Sequence, residues 1–329
     1  MKKILAYSSI PILIALAVFL FFQKNKIEIG NQTGLLTPLP SKFTGNLKPG
    51  PLSGVNCENA GARPVAVMIP SDPEAMPLSG ISEADMVFEM PVTDGGVTRM
   101  MAVFQCNQPK EIGSIRSSRV DFIPLALGLG AIYSHWGGEA TALEELNSSV
   151  IDNIDGLKYD GTVYYRKSER PRPHNGFTSF KSLLNKAKEL DYSLDNPIIG
   201  YKHDSKAVSK GDQSPPMIYA DDFAVKWIYD SAKNTYKRQR VGIFETDFNN
   251  SKQVEAANVV IMNTSWLPVN KDYIRVSTTG SGQATIYKNG EAIAGTWEKS
   301  GDKGKLSFYD NIHKEIEFTP GPIWVEIKI

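Results

Sequence analysis

Hydrophobic residues fall into short runs along the middle of the chain, and turn-forming residues separate the runs. Residues 64–69, 84–91 and 97–105 are such runs, and residues 131–136 form another. Short apolar runs bounded by turn signals are typical of buried strands. Residues 93–96, with the sequence Thr-Asp-Gly-Gly, form a strong turn signal between two of the runs. The pattern therefore predicts strands of a sheet.

Helical periodicity lies between and after these runs. A helix is predicted from a cap at Ser117 or Ser118 through about residue 129, and a second helix over residues 139–146. Residues 178–190 form a clear amphipathic helix, capped by the first or second residue of that range. Strands that alternate with helices predict an α/β domain with a mixed sheet.

A stretch rich in Pro, Gly, Ser and Asp, residues 195–216, separates this α/β domain, placed at residues 63–200, from a second part of the chain. In the second part apolar and polar residues alternate, which is the period of half-buried strands. The strands predicted there are residues 223–229, 236–240, 259–262, 274–278, 284–287 and 323–329. We therefore expect a smaller β-rich C-terminal domain over residues 215–329.

The first residues carry a membrane signal. Lys2 and Lys3 precede an apolar run over residues 4–22, whose length nearly matches the hydrocarbon core of a bilayer. The run ends without the small residues that a signal peptidase requires. We therefore predict a membrane anchor helix over residues 1–26, with the bulk of the chain extracytoplasmic; a cleaved signal peptide is the alternative. Frequent Gly and Pro residues predict a linker over residues 27–62.

Charge and cysteine content exclude several classes of protein. Lys and Arg together number 36, as do Asp and Glu, so the formal net charge is zero, which argues against a general nucleic-acid binder. The two cysteines, Cys57 and Cys106, either form a disulfide outside the membrane or remain buried thiols. The chain has no Cys-x-x-Cys spacing, phosphate loop or His-Glu-x-x-His motif. No metal or cofactor is therefore predicted.

Arginine concentrates in turn-rich segments in the middle of the chain, beside Gly and aromatic residues. Guanidinium groups fixed in such segments hold anions through paired N–H donors. Arg116 and Arg119 are three residues apart and could grip one anion from two sides, with Asp121 orienting either of them; a structural Arg–Asp network is the alternative. The predicted ligand-binding residues are Arg99, Arg116, Arg119, Arg166, Arg172 and Asn175.

Two histidines stand in the same setting. His135 ends a predicted strand before two glycines, a place where α/β folds put functional groups. The glycines disfavour the helix that a metal pair of His135 with Glu139 would need. His174 lies between Pro173 and Asn175, and the proline restricts the backbone that presents the imidazole. Both histidines are candidate acid–base residues, and a structural histidine with satisfied hydrogen bonds is the alternative.

Carboxylates near these residues support an enzymatic interpretation. Glu89 and Asp94 bracket a strand end and a turn, and Asp121 follows the arginines. Paired carboxylates serve as acid and base in glycan cleavage. A carboxylate among arginines has a lowered pKa, which suits a base or an electrostatic role better than an acid. Ordinary salt bridging around the arginines is the other interpretation.

Several short motifs agree in order with one known family. They are residues 51–54, 63–69, 78–85, 96–99, 112–119, 173–175 and 320–325. On these motifs, from about residue 49 to the end, the chain resembles the YerB-like family of bacterial extracytoplasmic proteins, also called the DUF3048 family. The resemblance implies an α/β part followed by a β-rich part, and a function that is largely unknown. Many members look like lipoproteins, whereas this chain lacks the lipobox cysteine.

These observations lead to a first hypothesis and two alternatives. The first is a membrane-tethered envelope protein whose Arg/His-lined cleft binds an anionic or sugar-containing ligand of the cell wall. One alternative is a peptidoglycan or glycan hydrolase or lyase that uses Glu89, Asp94 or Asp121, assisted by His135 or His174. The other is a scaffold that binds another envelope protein through the β-rich domain.

Overall fold

The computed structural model describes residues 47–197, 200–271 and 273–329. The predicted anchor, residues 1–26, and the first part of the predicted linker lie outside the described residues. No helix within the described ranges is long and apolar enough to cross a membrane. The described residues all belong to one compact unit.

Strands dominate the described residues, and the helices are few and short. The strands, in chain order, are β1 (Lys48–Pro49), β2 (Asn56–Cys57), β3 (Val65–Pro70), β4 (Met86–Pro91), β5 (Thr98–Phe104), β6 (Ile112–Gly113), β7 (Ile132–His135), β8 (Asn153–Asp155), β9 (Tyr165–Arg166), β10 (Gly176–Thr178), β11 (Lys202–His203), β12 (Val225–Asp230), β13 (Thr235–Arg240), β14 (Ile243–Phe244), β15 (Glu255–Ala256), β16 (Asn258–Asn263), β17 (Trp266–Pro268), β18 (Ile274–Val276), β19 (Gly280–Lys288), β20 (Glu291–Lys299), β21 (Ser307–Asp310), β22 (Glu317–Phe318) and β23 (Ile323–Lys328). The helices are α1 (Ile123–Gly128), α2 (Ala140–Asn147) and α3 (Phe180–Glu189).

Ten of these strands form one mixed sheet, in the spatial order β21-β20-β19-β16-β23-β4-β5-β3-β7-β8. Strands β16, β23 and β4 run parallel, as do β3, β7 and β8. Every residue of β3, β4 and β5 is buried, because both faces of the sheet are covered. The mixed sheet that the sequence predicted is confirmed.

The sheet draws strands from both predicted domains. Strands β3, β4, β5, β7 and β8 come from residues 63–200, and β16, β19, β20, β21 and β23 come from residues 215–329. The two groups meet where β23 pairs with β4, which sets Glu326 beside Glu89. The two segments therefore share one sheet, while their exact bounds stay a prediction.

Two hydrophobic cores pack on opposite faces of the sheet, because successive side chains of a strand point to opposite faces. Phe88 and Val325 belong to the core that also contains the apolar side of α1. Trp324 belongs to the other core, in which Phe180 of α3 and Trp227 of β12 also pack. The β12–β13 hairpin, which the sequence predicted, therefore covers one face of the sheet.

The helix predicted from Ser117 or Ser118 to residue 129 is shorter than expected. Ser118 is not its cap, since its hydroxyl pairs with the Tyr133 hydroxyl at 2.9 Å. The backbone N–H of Ser118 donates to Gly137 O at 2.9 Å, so the chain pairs at this point with the segment that follows β7. Only α1 is helical, after a 3₁₀ turn at Val120–Phe122. The serine pattern predicted a cap, but the backbone of Ser118 pairs with a neighbouring segment instead.

The linker prediction is wrong for residues 47–62, which belong to the folded unit. Leu52 is fully buried in the core, and Cys57 forms a disulfide with Cys106. The disulfide joins residues 49 positions apart, which stabilises the fold by roughly 4 kcal/mol in the chain-entropy account. Frequent Gly and Pro residues indicated turns correctly, but turns anchored by a buried leucine and a disulfide are not a free linker.

Candidate anion-binding site

The predicted ligand-binding residues lie near one edge of the sheet, at the ends of its strands. Strands β3, β7 and β8 are parallel, so their carboxyl ends meet at this edge. Just beyond it, Arg116 N–H donates to Met68 O at 2.8 Å, and Trp136 N–H donates to Arg116 O at 3.0 Å. The segment that carries the arginines therefore runs between the ends of β3 and β7. Ligands of α/β sheets bind at such carboxyl edges.

Arg99 lies at the same edge as the second residue of β5, opposite Pro70 of β3. Its side chain is buried, at 3% exposure. Its Nε and Nη1 atoms have no hydrogen-bond partner in the described part of the chain. Burial, with the nearby charges of Arg116 and Arg119, lowers the pKa of Arg99 to about 9. Arg99 thus remains charged at neutral pH, while two of its nitrogens have no hydrogen-bond partner among the described residues.

Arg116 and Arg119 converge on Arg99 and are also incompletely paired. The Nε atoms of both are buried without a hydrogen-bond partner among the described residues. The carboxylate facing Arg116 is Asp72, at 3.9 Å. Burial lowers the pKa of Arg116 although Asp72 opposes this. The Arg119 guanidinium lies 4.7 Å from the centroid of the Tyr273 ring, which fixes its position.

His174 and Ser114 add further buried polar atoms without partners. His174 Nδ1 and Ser114 Oγ make no hydrogen bond within the described ranges, and the two residues are 8% and 1% exposed. Burial lowers the pKa of His174, and the charge of Arg116 lowers it further. The imidazole is therefore neutral at pH 7. Arg99, Arg116, Arg119 and His174, whose charges act on one another, are called the arginine cluster below, and Ser114 is included because it lies two residues before Arg116.

An open cleft of about 240 Å³ leads to the arginine cluster. It is lined by Ile115, Arg116, Ser117, Trp136, Arg166, Arg172, Pro173 and Gly176. Arg116 belongs to both the cluster and the cleft, so a ligand in the cleft can contact the cluster at Arg116. Three of the six predicted ligand-binding residues, Arg116, Arg166 and Arg172, line the cleft, and ligand binding itself stays a prediction.

Arg166 is held at the mouth of the cleft by several partners. Its guanidinium lies 4.2 Å from the centroid of the Trp136 ring. Arg166 Nε donates to Asp160 at 2.9 Å, and Nη1 donates to Asn175 Oδ1 at 3.0 Å. Asn175 therefore positions Arg166. The exposed Arg172 completes the cationic rim.

Sequence reasoning missed Ser114, Trp136 and Asp72. Trp136 packs so closely that a Cβ atom on Gly156 or Gly176 would lie 2.6 or 2.5 Å from its ring. The Asn-Gly and Asp-Gly pairs at these two positions were a usable signal, because such contacts require glycine. No sequence signal marked Asp72, which follows β3 and reaches Arg116 only in the folded chain.

His135 is not part of this site. It is 1% exposed, and its Nδ1 atom lies 2.8 Å from Gly137 O while Nε2 lies 3.3 Å from Asn153 Oδ1. Both ring nitrogens are occupied, so His135 has no free atom for acid–base chemistry. The structural alternative for this histidine is the correct one. Within the described ranges, no cluster of His, Cys, Asp or Glu suits a metal ion.

Asp121 does not orient Arg116 or Arg119. Its carboxylate accepts from Arg275 Nη1 at 3.1 Å and from Val276 N–H at 3.0 Å. Burial raises the pKa of Asp121 to about 6, although these partners lower it. The Asp121 side chain instead connects β18 to the 3₁₀ turn that precedes α1. Asp94 is exposed in its turn, as the turn signal implied.

Glu89 lies on the face of the sheet opposite Arg99, in a separate buried ion cluster. Arg240 Nη2 donates to both carboxylate oxygens of Glu89 at 2.9 Å, and Arg238 pairs with both Glu89 and Glu245. Trp227 Nε1 donates to Glu326 at 2.9 Å. Glu89, Arg238, Arg240, Glu245 and Glu326 form what we call the buried ion cluster, and salt bridging is the interpretation of Glu89 that the structure supports.

The chain matches known proteins over most of its length. Residues 52–193 match the family model described as "Protein of unknown function (DUF3048) N-terminal domain", and residues 216–325 match the corresponding C-terminal domain. It is 29% identical over 286 residues to "Putative lipoprotein YerB" of Bacillus subtilis (strain 168), covering 84% of this chain and 85% of that one. A crystal structure of the YerB protein from Bacillus subtilis has a TM-score of 0.76 and 28% identity, covering 85% of this chain and 96% of the solved one. The chain belongs to the YerB-like DUF3048 family.

Proposed function

We propose that this protein is a membrane-tethered extracytoplasmic envelope protein that binds an anionic ligand of the cell wall. The observation that carries the proposal is the arginine cluster. Its buried side chains offer donor atoms that no described residue accepts from. The open cleft in front of Arg116 gives a ligand access to that arginine.

Buried donors of this kind destabilise the folded protein when no acceptor binds them. A buried polar group without a hydrogen bond costs about 1–3 kcal/mol, and a charged one costs more. Arg99 alone leaves two nitrogens in this state. Buried polar groups in folded proteins have a partner in the great majority of cases, so we expect these donors to have one too. An anion is the complement that three guanidinium groups select.

Glycan cleavage has less support than binding. Glu89 is paired with two arginines, Asp121 is paired with Arg275, and Asp94 is exposed in a turn. The three carboxylates lie in three different environments, and none of them lines the cleft. We therefore do not propose a hydrolase, and the scaffold alternative stays a prediction.

The location outside the membrane rests on independent arguments. The Bacillus subtilis relative carries the name of a lipoprotein. A disulfide between Cys57 and Cys106 suits an oxidising compartment. Residues 1–26 supply the membrane attachment in this proposal, as the sequence pattern predicts.

The test is co-sedimentation of the full chain, purified in a non-ionic detergent, with isolated cell walls. The protein is expected to sediment with the walls and to be released by salt, because charge drives the contact. Arg116→Ala should remove most of the binding. Lys181→Ala, which removes a charge from the exposed side of α3, should not. Equal sedimentation of both variants, or no sedimentation of the parent, would overturn the proposal.

A further inference from the structure

The arginine cluster also indicates which kind of anion it takes. We infer that the ligand presents a phosphate group to the cluster, rather than a carboxylate, and that the cleft holds the group to which the phosphate is attached. This inference rests on the proposed function and narrows it to phosphorylated ligands. The charge of the cluster, the arrangement of its donor atoms and the cleft beside it support this inference.

The positive charge of the arginine cluster exceeds the negative charge of the carboxylate beside it. Three guanidinium groups face the carboxylate of Asp72, whose side chain is 20% exposed. His174 is neutral at pH 7 because burial lowers its pKa, and Glu74 is exposed at the rim. Among the described residues, the cluster therefore carries two positive charges in excess of the carboxylate that faces it. A carboxylate neutralises one of them, whereas a phosphate monoester, with a charge of about −1.5 to −2 at pH 7, neutralises both.

The unpaired donor atoms come from separate elements of the fold. Arg99 belongs to β5, Ser114 and Arg116 belong to the segment that crosses the ends of β3 and β7, and His174 precedes β10. Arg99 offers Nε and Nη1, and Ser114 offers its hydroxyl. A carboxylate is planar and one bidentate arginine satisfies it. A phosphate has three strong acceptor oxygens, so it suits donors that come from separate elements.

The cleft leaves room for the part of the ligand that carries the phosphate. The cleft of about 240 Å³ opens in front of Arg116 and is bordered by Trp136 and Arg166. Its volume lies just below the range of about 300–1,000 Å³ for small-molecule sites. A phosphate in the cluster can thus carry one small substituent, such as a sugar ring, in the cleft. Arg172 is exposed at the rim, where it can contact a longer anionic ligand.

The experiment uses probes that share one ring and differ in one group. Glucose 6-phosphate, glucuronate and glucose are titrated calorimetrically into the full chain in non-ionic detergent, with inorganic phosphate as a fourth arm. We expect glucose 6-phosphate to bind at least tenfold more tightly than glucuronate, and glucose not to bind. Inorganic phosphate should bind more weakly than glucose 6-phosphate if the cleft contributes. Equal affinity for inorganic phosphate and for glucose 6-phosphate would support the phosphate assignment but would show that the cleft does not contribute to binding.

Two small substitutions test whether the cluster is the site. Ser114→Ala removes one donor, and Arg116→Lys keeps the charge but loses the fork geometry. Each is expected to weaken glucose 6-phosphate binding by roughly tenfold or more, as hydrogen bonds to charged groups do. Lys181→Gln, which removes a distant surface charge, is the matched control and should bind as the parent does. An equal loss in the control would assign the effect to general charge and overturn the inference.

The outcomes separate the inference from the proposed function. Glucuronate binding as tightly as glucose 6-phosphate would overturn the phosphate inference and leave a general anion site. Cell-wall binding without binding of any phosphorylated probe would do the same. Failure of both the probes and the cell walls would overturn the proposed function as well.

Discussion

At the scale of single residues, two almost fully buried arginines have opposite surroundings. Arg99 has two side-chain nitrogens without any described partner, whereas Arg238 pairs with Glu89 and Glu245. Both are at most 3% exposed. Burial alone does not show whether a charge stabilises a fold, because the partners decide the sign of its contribution. These two residues therefore give opposite expectations for the same substitution.

Arg99→Met is expected to stabilise the unliganded protein. The methionine keeps an apolar stem in the same space but removes a charge that no described residue pairs with. We expect the free energy of unfolding to rise by about 1–2 kcal/mol, and anion binding to be lost. Urea unfolding of the ligand-free protein measures this change. A loss of stability would contradict the assignment of Arg99 as an unpaired, ligand-directed residue.

Arg238→Met is expected to have the opposite effect. It leaves Glu89, Glu245 and Glu326 with Arg240 as the remaining arginine of the buried ion cluster. Breaking a buried ion pair from one side costs about 3–5 kcal/mol, so the free energy of unfolding should fall by that amount. The same urea titration measures it. An unchanged midpoint would show that the cluster does not stabilise the fold.

At the scale of elements, the pairing of β23 with β4 determines the chemistry of the buried ion cluster. It sets the carboxylates of Glu326 and Glu89 side by side. Burial raises the pKa of Glu326 to about 7, although Arg238 opposes this and Glu89 adds to it. The pairing of two strands thus produces a carboxyl group that titrates near neutral pH.

Glu326→Gln is expected to change how stability depends on pH. The folded protein keeps a proton on Glu326 between about pH 4.5 and 7, where the unfolded chain has lost it. The contribution of this group to stability therefore falls as the pH rises through that window. The variant should gain on the order of 2–3 kcal/mol relative to the parent between pH 5 and pH 8.

Urea unfolding at several pH values measures this difference. Glu169→Gln, at an exposed surface position, is the control and should stay parallel to the parent. A difference between Glu326→Gln and the parent that does not vary with pH would contradict the raised pKa of Glu326.

Local elements could be predicted from the sequence because their signals are local. The continuous apolar runs predicted β3, β4 and β5, and the hairpin of β12 and β13 followed from alternation and a turn. Ser179 caps α3 through a bond from Ser182 N–H at 3.0 Å, as one of the two predicted caps. The helix after Ser118 was overestimated, since a tertiary strand contact replaced the expected helical turn.

Long-range contacts could not be predicted, for a physical reason. Arg240 lies 151 residues from Glu89 along the chain, and no periodicity in either segment encodes their pairing. The candidate site was partly accessible, because its arginines and His174 occur in clustered, turn-rich motifs. His135 looked equivalent in sequence, but its partner Asn153 lies on another strand, β8.

At the scale of the whole molecule, two family domains share one sheet. The junction of β23 with β4 lies within its central strands, and strands from both halves flank it. The disulfide between Cys57 and Cys106 ties the first described strands to the segment after β5. Separating the halves would expose the apolar faces of central strands to water, which is strongly unfavourable.

Thermal unfolding should therefore be a single cooperative transition. We expect calorimetry, far-ultraviolet and near-ultraviolet circular dichroism to give coincident curves, as a two-state unit requires. Two resolved transitions would show that the sheet divides at the junction of β23 with β4. Because the unfolded protein can aggregate, reversibility is checked by a second scan.

The central claim is that the arginine cluster is a ligand site whose buried donors an anion completes. The most direct measurement is a crystal structure of the full chain grown with glucose 6-phosphate. We predict phosphate oxygens within hydrogen-bond distance, about 2.7–3.2 Å, of Arg99, Arg116 and Ser114, with the sugar ring in the cleft beside Trp136. A phosphate bound elsewhere, or a cluster without the ligand at saturating concentration, would contradict the account.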